Sequence, residues 1–282
     1  MLTVLEVIKK TTEFFAARGI ESPRLNAELL VGHALAIKRM QLYLQFERPL
    51  TEPELEKIRP LVKRRSQREP LQYILGETEF AGLKLKVDRR ALIPRPETEH
   101  LIELLVQRLA AVPPTRVLDL GTGTGAIALA LASSFPGATV TAVDQSPDAL
   151  ALARENAERC GLSARLNFIL SDWLDNLAGT GPYELIVSNP PYLTDAELQA
   201  AQPEVKDHEP AMALASGSDG MTALTQIFRT SRDFLSPGGL LACETGIAQH
   251  AALLEAATAA GYARAEAIND LSDRPRYLLA FV

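Results

Sequence analysis

The chain has 282 residues, 47% hydrophobic and 23% charged, so it carries enough apolar material for two packed domains and too little charge for a disordered chain. A net charge of −6 argues against a broad, sequence-independent grip on nucleic acid, which takes many phosphate contacts from Lys and Arg. Two cysteines, Cys160 and Cys243, suit buried inert thiols and neither a disulfide framework nor a zinc site; no apolar run is long enough for a membrane span, and Met1–Lys10 lacks the basic start of a signal peptide, which together point to the cytosol.

Residues 1 to about 70 read as a small helical bundle. Leu5, Ile8, Thr12 and Phe15 share one helical face, and Gly19 stops that helix. Ser22-Pro23 reads as a cap with proline at the first helical position, followed by an apolar face at Leu25, Leu29, Leu30 and His33, the last expected packed or half-exposed. Thr51 caps a third helix through Leu55, Ile58, Leu61 and Val62. Its end carries Lys57, Arg59, Lys63, Arg64, Arg65 and Arg68, expected as a solvated face favoured by the helix dipole, with an acidic or RNA-bearing partner as the alternative.

From Phe80 the period changes to two: Leu83, Leu85 and Val87 alternate with Lys84, Lys86 and Asp88. A turn at Asp88-Arg89-Arg90 with Ala91–Ile93 pairing back predicts a hairpin. An amphipathic helix follows, from about 98 to 111. Beyond Pro113-Pro114 strands and helices alternate, the mark of a parallel α/β sheet. The expected strands are 116–120, 138–143, 165–170, 184–188, 239–245, 262–268 and 277–282, with helices at 126–133 and 147–160. The link from Asn269 to Arg276 is too short for a helical crossover, so the last two strands are expected to be antiparallel.

Two stretches carry chemistry. Val117–Leu120 runs into Gly121-Thr122-Gly123-Thr124-Gly125 and a helix, a turn whose glycines let backbone approach a ligand. Asp144 ends the next strand, placed to accept two hydrogen bonds from ribose hydroxyls. Gly121-x-Gly123-x-x-Ala126 also fits the dinucleotide template, so this geometry alone leaves the cofactor open. The Gly-Thr-Gly-Thr-Gly form, with Asp119 in the strand before it, resembles the first motif of S-adenosylmethionine-dependent methyltransferases. Ser171-Asp172-Trp173, past the third strand, suits adenine: Asp172 accepting from its amino group and Trp173 lying on its face.

The second stretch is Asn189-Pro190-Pro191-Tyr192, which breaks the chain sharply after the apolar run Leu185-Ile186-Val187. It resembles the motif of methyltransferases acting on planar, weakly nucleophilic amino groups. With the Asn189 side-chain oxygen and the Pro190 carbonyl each accepting one N–H, the nitrogen lone pair turns toward the methyl group, Tyr192 packs on the flat face, and alignment replaces any need for a metal.

The helical N-terminal region, the hairpin, Leu92–Glu99, the two turns, His208-Glu209-Pro210 and Asp219-Gly220 together resemble the HemK/PrmC protein-(glutamine-N5) methyltransferases of peptide-chain release factors. The resemblance implies an α/β fold, a Rossmann-like seven-stranded methyltransferase sheet with a helical bundle at 1–75, a β-hairpin linker at 76–94 and the methyltransferase domain at 95–282. It implies S-adenosylmethionine as cofactor, S-adenosylhomocysteine as product, and class I release factors as partners. From size, charge and composition the bundle is expected to dock that protein partner, no membrane and no sequence-specific nucleic acid are expected, and nothing demands more than a monomer. Asn189, Pro190 and Tyr192 are then catalytic. Gly121, Thr122, Gly123, Thr124, Gly125, Asp144, Asp172, Trp173 and Asn189 meet the cofactor. Asn189 to Tyr192 hold the glutamine, with Arg95, Pro96, Glu97 and Thr98 as the pocket wall. A ribosomal-protein glutamine and a nucleic-acid adenine-N6 are the alternative targets. Glu244 and the 193–220 segment receive no assigned role.

Overall fold

The structure, a computed structural model, describes residues 1–282 and divides into two compact units, one of residues 1–76 with 203–208 and one of residues 77–202 with 209–282. No helix is long and apolar enough to cross a membrane.

The first unit is helical: α1 (Val4–Ala16), α2 (Pro23–Leu35), α3 (Arg39–Tyr43), α4 (Glu52–Ser66) and α5 (Leu71–Leu75). Val4, Ile8, Phe15, Leu30, Val31, Leu42, Leu50 and Ile58 form its core, each such side chain contributing about 1.5–3 kcal/mol by burial. Thr3 and Glu6 cap α1 reciprocally, and the Glu54 carboxylate accepts from the Thr51 backbone N–H at the start of α4. Ser22 is not the side-chain cap that its place before Pro23 suggests. Its backbone is left-handed (φ 48°) and its hydroxyl caps nothing; Asn26 instead donates to the Glu21 and Ser22 carbonyls. His33 stands exposed rather than packed.

The basic end of α4 is largely spoken for. Arg59 pairs with Glu52 and Arg64 with Glu69, while buried Arg65 reaches Asn26, the Glu69 carbonyl and Glu204. Arg68 meets the other oxygen of Glu204. The solvated-face reading therefore holds for Lys57 and Lys63 but not for Arg65, whose partner lies 139 residues later in sequence.

The second unit opens with a hairpin, β1 (Glu77–Phe80) and β2 (Leu83–Lys86). Its two-residue turn is Ala81-Gly82, both at positive φ (47° and 75°), the twist that matches a tight hairpin. This corrects the expected pairing: Ala91–Ile93 does not return to the 83–87 strand but runs on toward α6 (Pro96–Arg108). Then come β3 (Arg116–Leu120), α7 (Ala126–Ser134), β4 (Thr139–Asp144), α8 (Pro147–Arg159), β5 (Leu166–Leu170) and β6 (Tyr183–Ser188). After α9 (Asp195–Ala200) and, in the helical unit, α10 (Pro203–Lys206), the chain forms α11 (Thr222–Ser231), β7 (Leu235–Glu244), α12 (His250–Ala259), β8 (Arg264–Asn269) and β9 (Pro275–Phe281).

The seven strands lie in the order β5-β4-β3-β6-β7-β9-β8, parallel except for β9, which runs against both neighbours. Helices α6, α7 and α8 pack on one face around Val117, Leu129, Val140 and Leu185; α11 and α12 cover the other around Leu118, Ile186, Leu224, Phe228 and Leu253. Because β4 and β5 lie to one side of β3 and β6 to the other, the order reverses between β3 and β6, and a crevice opens beyond their carboxyl ends.

Candidate active site

The loop after β3 turns on glycine. Gly121, Gly123 and Gly125 have φ of 75°, 55° and 83°, a region that disfavours any Cβ. The Trp173 ring lies against Gly121, 3.5 Å from where a Cβ would stand. Gly125 does different work: it lets α7 approach Ala153 of α8, and it does not line the cavity. Under the loop, Asp119 is fully buried, and one of its carboxylate oxygens accepts from the Thr122 hydroxyl (2.6 Å) and the Ala128 N–H (3.1 Å). Its other oxygen has no partner. Burial pushes its pKa up to about 7, against the pull of those two hydrogen bonds.

Asp144, at the end of β4, accepts from Gly123 N–H (2.8 Å) and Ser146 N–H (2.9 Å), which bind the glycine loop to the start of α8. Burial raises its pKa. The cavity bounded by these groups is lined by Gly121 to Thr124, Asp144, Asp172, Trp173, Asn189 and Pro191. Arg95 and Thr98 line it as well, as do Arg90–Pro94, which the hairpin expectation had concealed, and Pro210, Met212 and Ala213 from the 193–220 segment. Pro96, Glu97, Pro190 and the Tyr192 side chain are not part of the lining.

The Asn189 turn is anchored from below. The Ser188 hydroxyl donates to the Leu120 carbonyl (2.7 Å), tying the end of β6 to β3. Gln249 donates to the carbonyls of Tyr192 (2.9 Å) and Gly220 (3.1 Å) while accepting from Gly246 N–H. Leu193 bridges in parallel to Ala215, bringing the 193–220 segment back beside the turn. Arg95 forms an ion pair with buried Glu209, whose pKa burial raises.

Beside the turn lies a buried polar chain. Asn189 Nδ2 donates to Thr98 Oγ1 (2.9 Å), and Thr98 Oγ1 donates to Glu244 Oε2 (2.7 Å). The Tyr192 hydroxyl donates to the other carboxylate oxygen, Oε1 (2.9 Å). Glu244 is 1% exposed; burial raises its pKa, opposed by Thr98, Tyr192 and the nearby Arg276 cation. Tyr192 is thus directed at Glu244, and burial raises the pKa of its phenol. The start of α6 is held in register by the Tyr277 hydroxyl, which donates to the Glu97 carbonyl (2.7 Å). Neither the Asn189 side-chain oxygen nor the Pro190 carbonyl accepts a hydrogen bond from the protein.

Residues 6–76 match the PrmC N-terminal domain family and residues 98–208 the methyltransferase small domain family. The chain is 46% identical over 250 residues to the release factor glutamine methyltransferase of Chlorobaculum tepidum, covering 86% of this chain and 85% of that protein. To the Escherichia coli K12 protein of the same name it is 41% identical over 261 residues, 92% of each. Among solved structures, the hMettl16 catalytic domain in complex with a MAT2A 3′UTR hairpin has a TM-score of 0.59 at 18% identity, covering 78% of this chain and 81% of that one, a likeness of fold alone. Identity of this level over nearly the whole length of both proteins places the chain in the release factor glutamine methyltransferase family.

Proposed function

We propose that this chain transfers a methyl group from S-adenosylmethionine to the side-chain amide nitrogen, N5, of the glutamine in the Gly-Gly-Gln loop of class I release factors, releasing S-adenosylhomocysteine. The observation that carries the reading is the unused side-chain oxygen of Asn189, a residue that lines the glycine-bounded cavity, with the Pro190 carbonyl next to it in the same turn, outside that lining, also accepting no hydrogen bond.

The cavity suits the cofactor. Its glycine loop leaves room where a side chain would intrude, Trp173 offers a flat apolar face, and Asp144 offers carboxylate lone pairs for a ribose. When bound, S-adenosylmethionine supplies an electrophilic methyl carbon on a sulfonium. Everything else falls to the protein. A carboxamide nitrogen is a poor nucleophile because its lone pair is shared with the carbonyl. Two acceptors that each take one of its N–H bonds hold the nitrogen still and favour the pyramidal geometry of attack, which is catalysis by orientation. The N–C bond forms as the C–S bond breaks, sulfur leaves as a neutral thioether, and the extra proton on nitrogen passes to water.

The helical unit is assigned to docking of the protein substrate, and the cytosol is the place of action. Purified enzyme and methyl-labelled cofactor should label a release factor, and a Gln-to-Ala change in its loop should abolish the label. Label on ribosomal protein or on nucleic acid, with none on release factor, would reverse the assignment.

A further inference from the structure

We propose that Thr98 and Glu244 are positioning residues that set the polarity of the Asn189 amide, and so make the site select a carboxamide over a carboxylate. The inference rests on the glutamine-methylation reading and adds to it the device that orients the acceptor.

An asparagine side chain is nearly symmetric in shape but opposite in hydrogen-bonding sense at its two ends. Turned one way, Asn189 presents an acceptor to the substrate amide; turned the other, it presents N–H donors and repels that amide. The turn itself does not decide between the two. Thr98 does. Its hydroxyl has a single hydrogen, and the structure commits that hydrogen to Glu244 Oε2 (2.7 Å). Toward Asn189 it can then act only as acceptor, and it receives Nδ2 at 2.9 Å. Oδ1 is left with no protein partner, on a residue that lines the cavity.

Both oxygens of Glu244 are partnered, and its carboxylate is taken as ionised, against the upward push of burial. Its second oxygen takes the Tyr192 hydroxyl (2.9 Å), and Arg276 lies near as the opposing cation. A carboxylate buried to 1% exposure inside a strand is costly unless its oxygens are satisfied, and here both are, by one residue of the α6 start and one of the Asn189 turn. The chain of donors runs one way: Asn189 to Thr98 to Glu244. Neutralising its end removes the direction. With Glu244→Gln, the new amide can donate to Thr98, whose hydroxyl then points at Asn189, and the Asn189 amide turns over.

The test uses full-length enzyme with release factor and with the same factor carrying Glu in place of the loop Gln. Thr98→Ser, which keeps the hydroxyl, should hold kcat within about threefold of wild type. Thr98→Val and Glu244→Gln should lower kcat by about 10²-fold, the scale of losing an oriented hydrogen bond in the transition state, with affinity for S-adenosylhomocysteine within about threefold as the check that the fold and cofactor site survive. In Glu244→Gln alone, the Glu-loop factor should become the better inhibitor, its Ki falling by about tenfold or more relative to the KM of the Gln-loop factor, because Asn189 now offers donors. A merely structural role for Glu244 would not move that ratio, and an unchanged ratio in folded enzyme overturns the proposal. So does wild-type kcat in Thr98→Val. Should both variants misfold, the wild-type enzyme still decides: a neutron structure showing Oδ1 rather than Nδ2 of Asn189 facing Thr98 refutes it. Wild type that labels no release factor defeats the underlying reading, and this proposal with it; wild type that labels normally while the variants match it defeats this proposal alone.

Discussion

Gly220 lies directly against the carbonyl oxygen of Tyr192, so close that a Cβ at position 220 would collide with it and stand 2.8 Å from Gln249 Nε2. Its φ of 69° is also in the left-handed region. The Asn189 turn is thus shaped by a residue 31 positions from Asn189, on the far side of the 193–220 segment. Gly220→Ala should destabilise the protein by about 2–4 kcal/mol, through backbone strain and steric overlap together. Urea denaturation gives the loss. Turnover of the surviving folded fraction should also fall, because the displaced Tyr192 carbonyl belongs to the turn that carries Asn189. Stability and turnover both at wild-type level would show that the turn does not depend on this contact.

Asn189→Asp keeps the shape of the side chain and removes its donor. The new oxygen would face Thr98 Oγ1, whose hydrogen is already held by Glu244, so two acceptors would meet beside a buried carboxylate. The expected result is a fall in kcat of about 10²–10³-fold. Calorimetry with S-adenosylhomocysteine should show a change in affinity of less than about tenfold, since no hydrogen bond between Asn189 and the Gly121–Gly125 loop exists to be lost. Equal losses in turnover and cofactor affinity would place Asn189 in cofactor binding instead.

Much of the sheet was legible because its signals are local. Glycines at 121, 123 and 125 stand where the backbone takes positive φ, and two prolines mark where β6 must end. The hairpin was misread for an equally local reason. Ala81 adopts φ 47° with nothing in its side chain to announce a turn, whereas Asp88-Arg89-Arg90 has the look of one. What no local pattern carries is the buried polar chain. Thr98 meets Asn189 across 91 positions and Glu244 across 146, joining a helix start, a turn and a strand that only the assembled sheet brings together. Glu244 was visible as an acid in an apolar strand, but its role depends entirely on partners that sequence order does not reveal.

Asp119 should leave a mark on the pH dependence of stability. An unfolded aspartate titrates near 3.8, while burial holds Asp119 in the folded protein up to about 7. Between those values the folded chain keeps a proton that the unfolded chain has released, so stability falls as pH rises through the window. Asp119→Asn does not titrate. The melting temperature of wild type relative to the variant should therefore decline from pH 4 to pH 7 in cofactor-free protein and level off above. Parallel curves over that range would mean that Asp119 is ionised throughout and that its unpartnered oxygen is satisfied in solution.

Glu204 predicts the opposite sign. Burial alone would raise its pKa, but the hydrogen bonds from Arg65 and Arg68, with Arg65 the stronger influence, hold it below the ordinary carboxylate value. A lowered folded pKa contributes stability above the ordinary glutamate range, lost as pH drops through the folded value. Glu204→Ala should cost about 3 kcal/mol, because it leaves the buried Arg65 guanidinium with Asn26 and a carbonyl but no counter-charge. The effect should also be regional. Hydrogen exchange should speed up in α4 and α10, which belong to the helical unit, while the amides of β3 and β6 keep their protection. If α4 exchanges no faster in the variant, the Arg65–Glu204 pair is a contact without energetic consequence.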